Sequence, residues 1–183
     1  FVYCYMEEEP ISIKFVPALY IQRYQKVLDE VEKTCYNILK NYETDDVLTI
    51  TIADVGCNNA AFFRYIKHGF EYTRKSWRTH YIGLDIDESL MEEASQRLQP
   101  MITDSLASRS GPLHASLYLG SILQPDPIIQ STDILVMIEV IEHIPIEEVE
   151  QLPDALFGVI APKCVIMTTP NVEFNVVFGT MKP

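Results

Sequence analysis

The sequence predicts an α/β fold, a doubly wound parallel sheet with helices on its faces. Two patterns predict it: short apolar, β-branched runs alternate with stretches whose apolar residues return at helical spacing. A third observation is that 133–138 is apolar after its first residue, as in a strand buried on both faces. In chain order, 16–40 carries Leu19, Tyr20, Tyr24, Val27, Leu28, Val31, Cys35, Ile38 and Leu39 on a helical stripe. Residues 47–55 form the first strand, ending at Gly56, and 60–67 the next helix. A second strand over 81–84 ends at Asp85, and 88–98 is a helix with an acidic start. Strands at 116–119, 133–138 and 163–169, the last stopped by Pro170, and a helix at 149–160 complete the pattern. Segments 70–79 and 103–114 read as surface loops.

With 183 residues, 48% of them hydrophobic, the chain suffices for one buried core. We expect an extension over 1–14 and one domain over 15–183. Its 14 Lys and Arg against 26 Asp and Glu give a net charge of −12, which opposes non-specific attraction to nucleic acid, so any such contact must be local or supplied by sequence not present here. Cys4, Cys35, Cys57 and Cys164 are widely spaced without a CxxC pair, which fits reduced thiols and a cytoplasmic protein. No apolar run approaches the roughly 20 residues of a membrane helix. The chain begins at Phe1 rather than Met, and the expectation is an excerpt or an unusual product.

In open parallel sheets, ligands sit beyond the carboxyl ends of the strands. After the first strand comes Asp54-Val55-Gly56-Cys57-Asn58-Asn59, where Gly56 permits a tight turn and a close backbone approach to a ligand. Asp85 ends the second strand, where a carboxylate can accept from both hydroxyls of a ribose. Gly120 and Ser121 follow the third strand and are placed to flank an adenine. The plainer alternatives are a common strand-ending turn at Gly56 and a helix cap at Asp85. The combination resembles the class I S-adenosylmethionine-dependent methyltransferases, with cofactor contacts at Asp54, Gly56, Cys57, Asp85, Gly120 and Ser121. A dinucleotide site would want a fuller GxGxxG.

Directly after the fourth strand stands Glu139-Val140-Ile141-Glu142-His143. If the chain turns helical there, Glu139, Glu142 and His143 share a face, an oxygen-rich set suited to Mg²⁺ or Mn²⁺. An ordinary solvated helix start is the alternative. His68, His80 and His114 have no acidic partners at ligand spacing and read as surface or packing residues.

Two flanking segments narrow the resemblance. Phe15-Val16-Pro17-Ala18-Leu19-Tyr20-Ile21-Gln22-Arg23-Tyr24 is similar to the F-x-P-P-L-Y-x-Q-R-Y segment of the small-RNA 2′-O-methyltransferases of the Hua enhancer type. Thr169-Pro170-Asn171-Val172-Glu173-Phe174-Asn175 resembles their T-P-N-x-E-F-N, and Glu139-x-x-Glu142-His143 their metal motif. The resemblance implies methyl transfer from S-adenosylmethionine to the 2′-hydroxyl at the 3′ end of a single-stranded small RNA. It further implies a divalent ion on Glu139, Glu142 and His143, catalytic roles for Glu142 and His143, and a Piwi or Argonaute protein presenting the RNA. The sequence leaves open whether His143 or a water takes the proton.

Ala18 departs from the family's proline and Asn58 from its glycine. The family's fourth metal ligand, a His beyond T-P-N-x-E-F-N, and its last strands have no counterpart before Pro183. The expectation is therefore an incomplete domain that binds metal weakly, turns over poorly and exposes a sheet edge. Two alternatives stand: a small-molecule O-methyltransferase of the quinone-biosynthesis kind, whose members can carry a similar E-V-x-E-H, and an inactive truncated product.

Overall fold

A computed structural model describes residues 16–40, 48–69, 77–106 and 113–171. Five strands, β1 (Leu48–Val55), β2 (Trp77–Asp85), β3 (Leu113–Leu119), β4 (Ile134–Ile138) and β5 (Cys164–Thr168), form one sheet in the order β3-β2-β1-β4-β5. Every neighbouring pair is parallel. After β1 the chain builds outward through β2 and β3, then returns to lay β4 and β5 on the opposite side of β1. The strand order thus reverses between β1 and β4, and the carboxyl ends at such a reversal are the usual ligand position in these sheets.

Side chains alternate along the central strands and make two cores. On one face Ile50, Ile52, Tyr81, Ile134 and Val136 pack with helices α1 (Leu19–Leu39), α2 (Phe63–Gly69) and α3 (Glu88–Leu106). On the other, Ala53, Val55, Ile82, Leu84, Leu135 and Met137 pack with Leu152, Leu156 and Ile160. Helix α1 buries Val27, Leu28, Val31, Cys35 and Leu39, the inner part of the anticipated stripe, while Leu19 and Tyr20 stay exposed on its first turn. It runs antiparallel to the strands: Thr34 Oγ1 reaches Cys164 Sγ at the start of β5, and Arg23 reaches Glu139 just past the end of β4.

Several expected boundaries need correction. Strand β2 starts at Trp77, not Tyr81, because pairing with β1 from the Leu48–Trp77 register onward holds Arg78, Thr79 and His80 extended despite their polarity. His80 finds Ser116 Oγ on β3 at 3.0 Å. Helix α3 continues past residue 98 to Leu106 through Pro100, since Met101 and Ile102 pack against the core. Of the loops expected over 70–79 and 103–114, residues 77–79 belong to β2, 103–106 to α3 and 113–114 to β3, and 70–76 and 107–112 lie outside the described residues. The helix expected over 149–160 is two pieces, a short α4 (Ile146–Val149) and a π-helical turn (Asp154–Ile160). Pro153 has no N–H to return to Val149, which favours a break there. The π-helical turn still carries Leu156 and Ile160 into the core and ends where Ala161, at φ +50°, donates to Leu156 O.

Strand β4 starts at Ile134, one residue after the expected Asp133, which instead ties strands together. Asp133 is buried, accepts the Thr51 N–H at 2.8 Å and pairs with Lys163 at 2.6 Å.

Candidate active site

The turn after β1 is fixed by backbone geometry. Gly56 has φ +67°, and a Cβ there would lie 2.5 Å from Val140 Cγ2, so both conformation and space call for glycine. The Gly56 and Cys57 N–H groups both donate to Leu84 O, at 2.8 and 3.1 Å, stapling the turn to the end of β2. Asn58 takes φ +51° where the motif leads one to expect glycine, and Asn tolerates that region better than most residues. Its side-chain oxygen accepts the Asn59 N–H at 2.7 Å.

Asp85 closes the same turn from the neighbouring strand. Its Oδ2 accepts the Asn58 N–H at 2.8 Å and its Oδ1 the Asp87 N–H at 3.0 Å. An ionised carboxylate has about four acceptor positions, so both oxygens keep capacity for hydroxyl donors. The Gly120 N–H donates to Asp85 O at 2.8 Å, and Ser121 Oγ accepts the Leu123 N–H, which places this pair beside Asp85 at the carboxyl edge.

Asp54 and Cys57 face inward. Asp54 is 2% exposed and accepts the Tyr81 hydroxyl at 2.5 Å. Burial pushes its carboxyl up to about 7, with Asp85 adding and the Tyr81 hydrogen bond opposing. Cys57 is buried with its sulfur 3.8 Å from Met91 Sδ, and burial drives its thiol far above the ordinary value. Its N–H is spent on Leu84 O, so Cys57 braces the turn.

Beyond β4, Glu139 is in the left-handed region at φ +56°. Its N–H donates to both the carbonyl and hydroxyl oxygens of Thr168, its Oε1 accepts the Thr168 hydroxyl at 2.9 Å, and its Oε2 pairs with Arg23 at 2.8 Å. Glu142 and His143 lie exposed on a single 3-10 turn (Ile141–His143). The expected helical face uniting Glu139, Glu142 and His143 therefore does not form: Glu139 sits outside the turn, in a conformation that cannot begin a right-handed helix. Among the described residues no three His, Cys, Asp or Glu side chains are placed to hold a metal ion. With both Glu139 oxygens engaged, the arrangement does not fit the Mg²⁺ or Mn²⁺ expected there.

Arg23, Thr168 and Tyr81 carry contacts to which the sequence reading gave no role. A signal existed for Arg23, a cation within a family-specific segment of a chain of net charge −12. Thr168 and Tyr81 had none, since only sheet register sets them beside Glu139 and Asp54. Segment 169–171 follows β5 at the same edge, whereas Glu173, Phe174 and Asn175 lie outside the described residues.

No family model matches the chain. The small RNA 2′-O-methyltransferase of Xenopus tropicalis is 36% identical over 166 residues, 90% of this chain and 39% of that protein. That of Gallus gallus is 37% identical over 163 residues, 89% of this chain and 38% of that protein. The chain belongs to the small-RNA 2′-O-methyltransferase family. It spans about two fifths of the length of these curated relatives. The crystal structure of the small RNA methyltransferase HEN1 matches family and fold together, with a TM-score of 0.71 at 26% identity over 95% of this chain and 19% of that one. The methyltransferase domain of bacterial CtHen1-C gives 0.59 at 25% identity, covering 87% and 70%. The parallel five-stranded sheet is thus that of the family's methyltransferase region.

Proposed function

We propose that the carboxyl edge of β1, β2 and β4 transfers a methyl group from S-adenosylmethionine to the 2′-hydroxyl of the 3′-terminal ribose of a small RNA. The observation that carries this reading is the joined turn: Gly56 and Cys57 stapled to Leu84, and Asn58 to Asp85, in a chain of this family. In the proposal Asp85 accepts from the cofactor's ribose hydroxyls, the Gly56 turn admits the cofactor against bare backbone, and Gly120 with Ser121 flanks its adenine. The 2′-oxygen attacks the sulfonium methyl in line. A C–O bond forms as the C–S bond breaks, its electron pair returns to sulfur, and the proton leaves the hydroxyl. Positioning supplies much of the rate in such a transfer. His143, exposed on the turn after β4, is assigned the proton, because imidazole is a common side chain for proton transfer.

Net charge −12 gives RNA little general attraction. In the proposal the RNA end is therefore brought to this edge by a partner, of which a Piwi or Argonaute protein is the one the family resemblance implies, or by sequence outside this chain. The test is transfer of labelled methyl from S-adenosylmethionine to a short single-stranded RNA, with and without Mn²⁺, comparing a 3′-terminal diol with a 2′-deoxy end. Labelling of the diol alone is expected, and it is expected to fall sharply in His143→Ala. Equal labelling of the 2′-deoxy end would refute the assignment, and labelling of a small phenol in place of RNA would move it to a small-molecule O-methyltransferase.

A further inference from the structure

Glu139 is furnished as an anion already holding its cation. One oxygen takes a neutral donor, the Thr168 hydroxyl, and the other takes the Arg23 guanidinium at 2.8 Å. The Glu139 side chain is 16% exposed and that of Arg23 31%, so the carboxylate is the more enclosed partner and the guanidinium the one with open space. Arginine stays charged at any working pH, so the pair does not relax by losing a proton. A second cation approaching Oε2 meets a full positive charge a hydrogen bond away, and such repulsion is only partly screened at a half-enclosed site.

We propose that Arg23 is the resident counter-ion of Glu139 and competes directly with divalent cations for its carboxylate. It is a positioning residue: it keeps Glu139 aimed and neutral in the free chain. A divalent ion gains that oxygen only when the guanidinium swings away. The arginine belongs to the first turns of α1, ahead of the buried stripe that begins at Val27, so its side chain can leave without unpacking the helix. The pair accounts for the Glu139 carboxylate alone; Glu142 and His143 stay apart from it because the chain turns at Glu139. The inference extends the proposed function at the same edge. Its test involves no methyl transfer, so the two readings fail separately.

Mn²⁺ binding to the 183-residue chain is measured by the loss of the free-ion paramagnetic resonance signal at fixed pH and ionic strength, without cofactor or RNA. Arg23→Gln is expected to bind Mn²⁺ at least about tenfold more tightly than the parent. Arg23→Lys, which keeps the charge, is expected to stay within about threefold of the parent and serves as the folding control. In the double variant Arg23→Gln/Glu139→Gln the gain is expected to vanish. Equal or weaker binding by Arg23→Gln, a gain that survives removal of the Glu139 charge, or no Mn²⁺ binding by any variant would each overturn the proposal.

Discussion

Single residues decide the shape of the edge. Gly56 combines a left-handed backbone with contact against Val140, so Gly56→Ala is expected to cost at least about 2 kcal/mol in urea unfolding. Val140→Ala in the same chain should return part of that loss, the part owed to contact, while the backbone part persists. Asp54 offers a pH test. Its folded value, raised to about 7 from 3.8, means that the folded state keeps a proton which the unfolded chain releases. The stabilisation is complete below the unfolded value and is lost as pH rises through about 7. Asp54→Asn still accepts the Tyr81 hydroxyl but cannot ionise. Its stability measured against the parent is therefore expected to improve from pH 4 and to level off above about pH 7. A difference flat across that range would remove the buried carboxyl from the account.

Elements were legible to the extent that their signal was local. The stripe of α1 and the apolar run of β4 depend on neighbours a turn or a residue away, and both emerged close to the expected bounds. The amino-terminal half of β2 did not, because Arg78, Thr79 and His80 are extended by pairing with β1 rather than by preference. The π-helical turn was hidden for a related reason: Leu152, Leu156 and Ile160 repeat at helical spacing, and only Pro153 hints that the path is broken. Within that turn Gly158 has no left-handed φ, and a Cβ on it would meet nothing within 4 Å. Gly158→Ala is thus expected to stabilise the chain by about 0.4–1 kcal/mol through the unfolded state, read from the urea midpoint.

At the scale of the whole molecule, strand order turns scattered residues into one edge. The sequence named Gly56, Asp85, Gly120 and Glu139 because each follows a strand, and the β3-β2-β1-β4-β5 order brings those strand ends to the same side of the sheet. It did not disclose that Arg23 would reach Glu139, since the partner of a charged side chain is set by how a helix lies across a sheet. Nor did it disclose that Glu139 would adopt φ +56° and leave the face it was expected to share with Glu142 and His143. The turn after β1 was therefore more legible than the segment after β4: turns and strand ends are written locally, ion pairs are not.

The proposed methyl transfer requires the turn between Gly56 and Asp85 to hold the cofactor. The most direct measurement is calorimetric binding of S-adenosylhomocysteine to this chain and to Asp85→Ala, without RNA or metal. Saturable one-to-one binding by the parent, weakened at least about tenfold in Asp85→Ala, is the predicted result, since a carboxylate accepting hydroxyl donors contributes on the order of 1.5–3 kcal/mol. Equal affinity in the two proteins would place the cofactor elsewhere. Absence of binding to a folded parent chain would contradict the central claim.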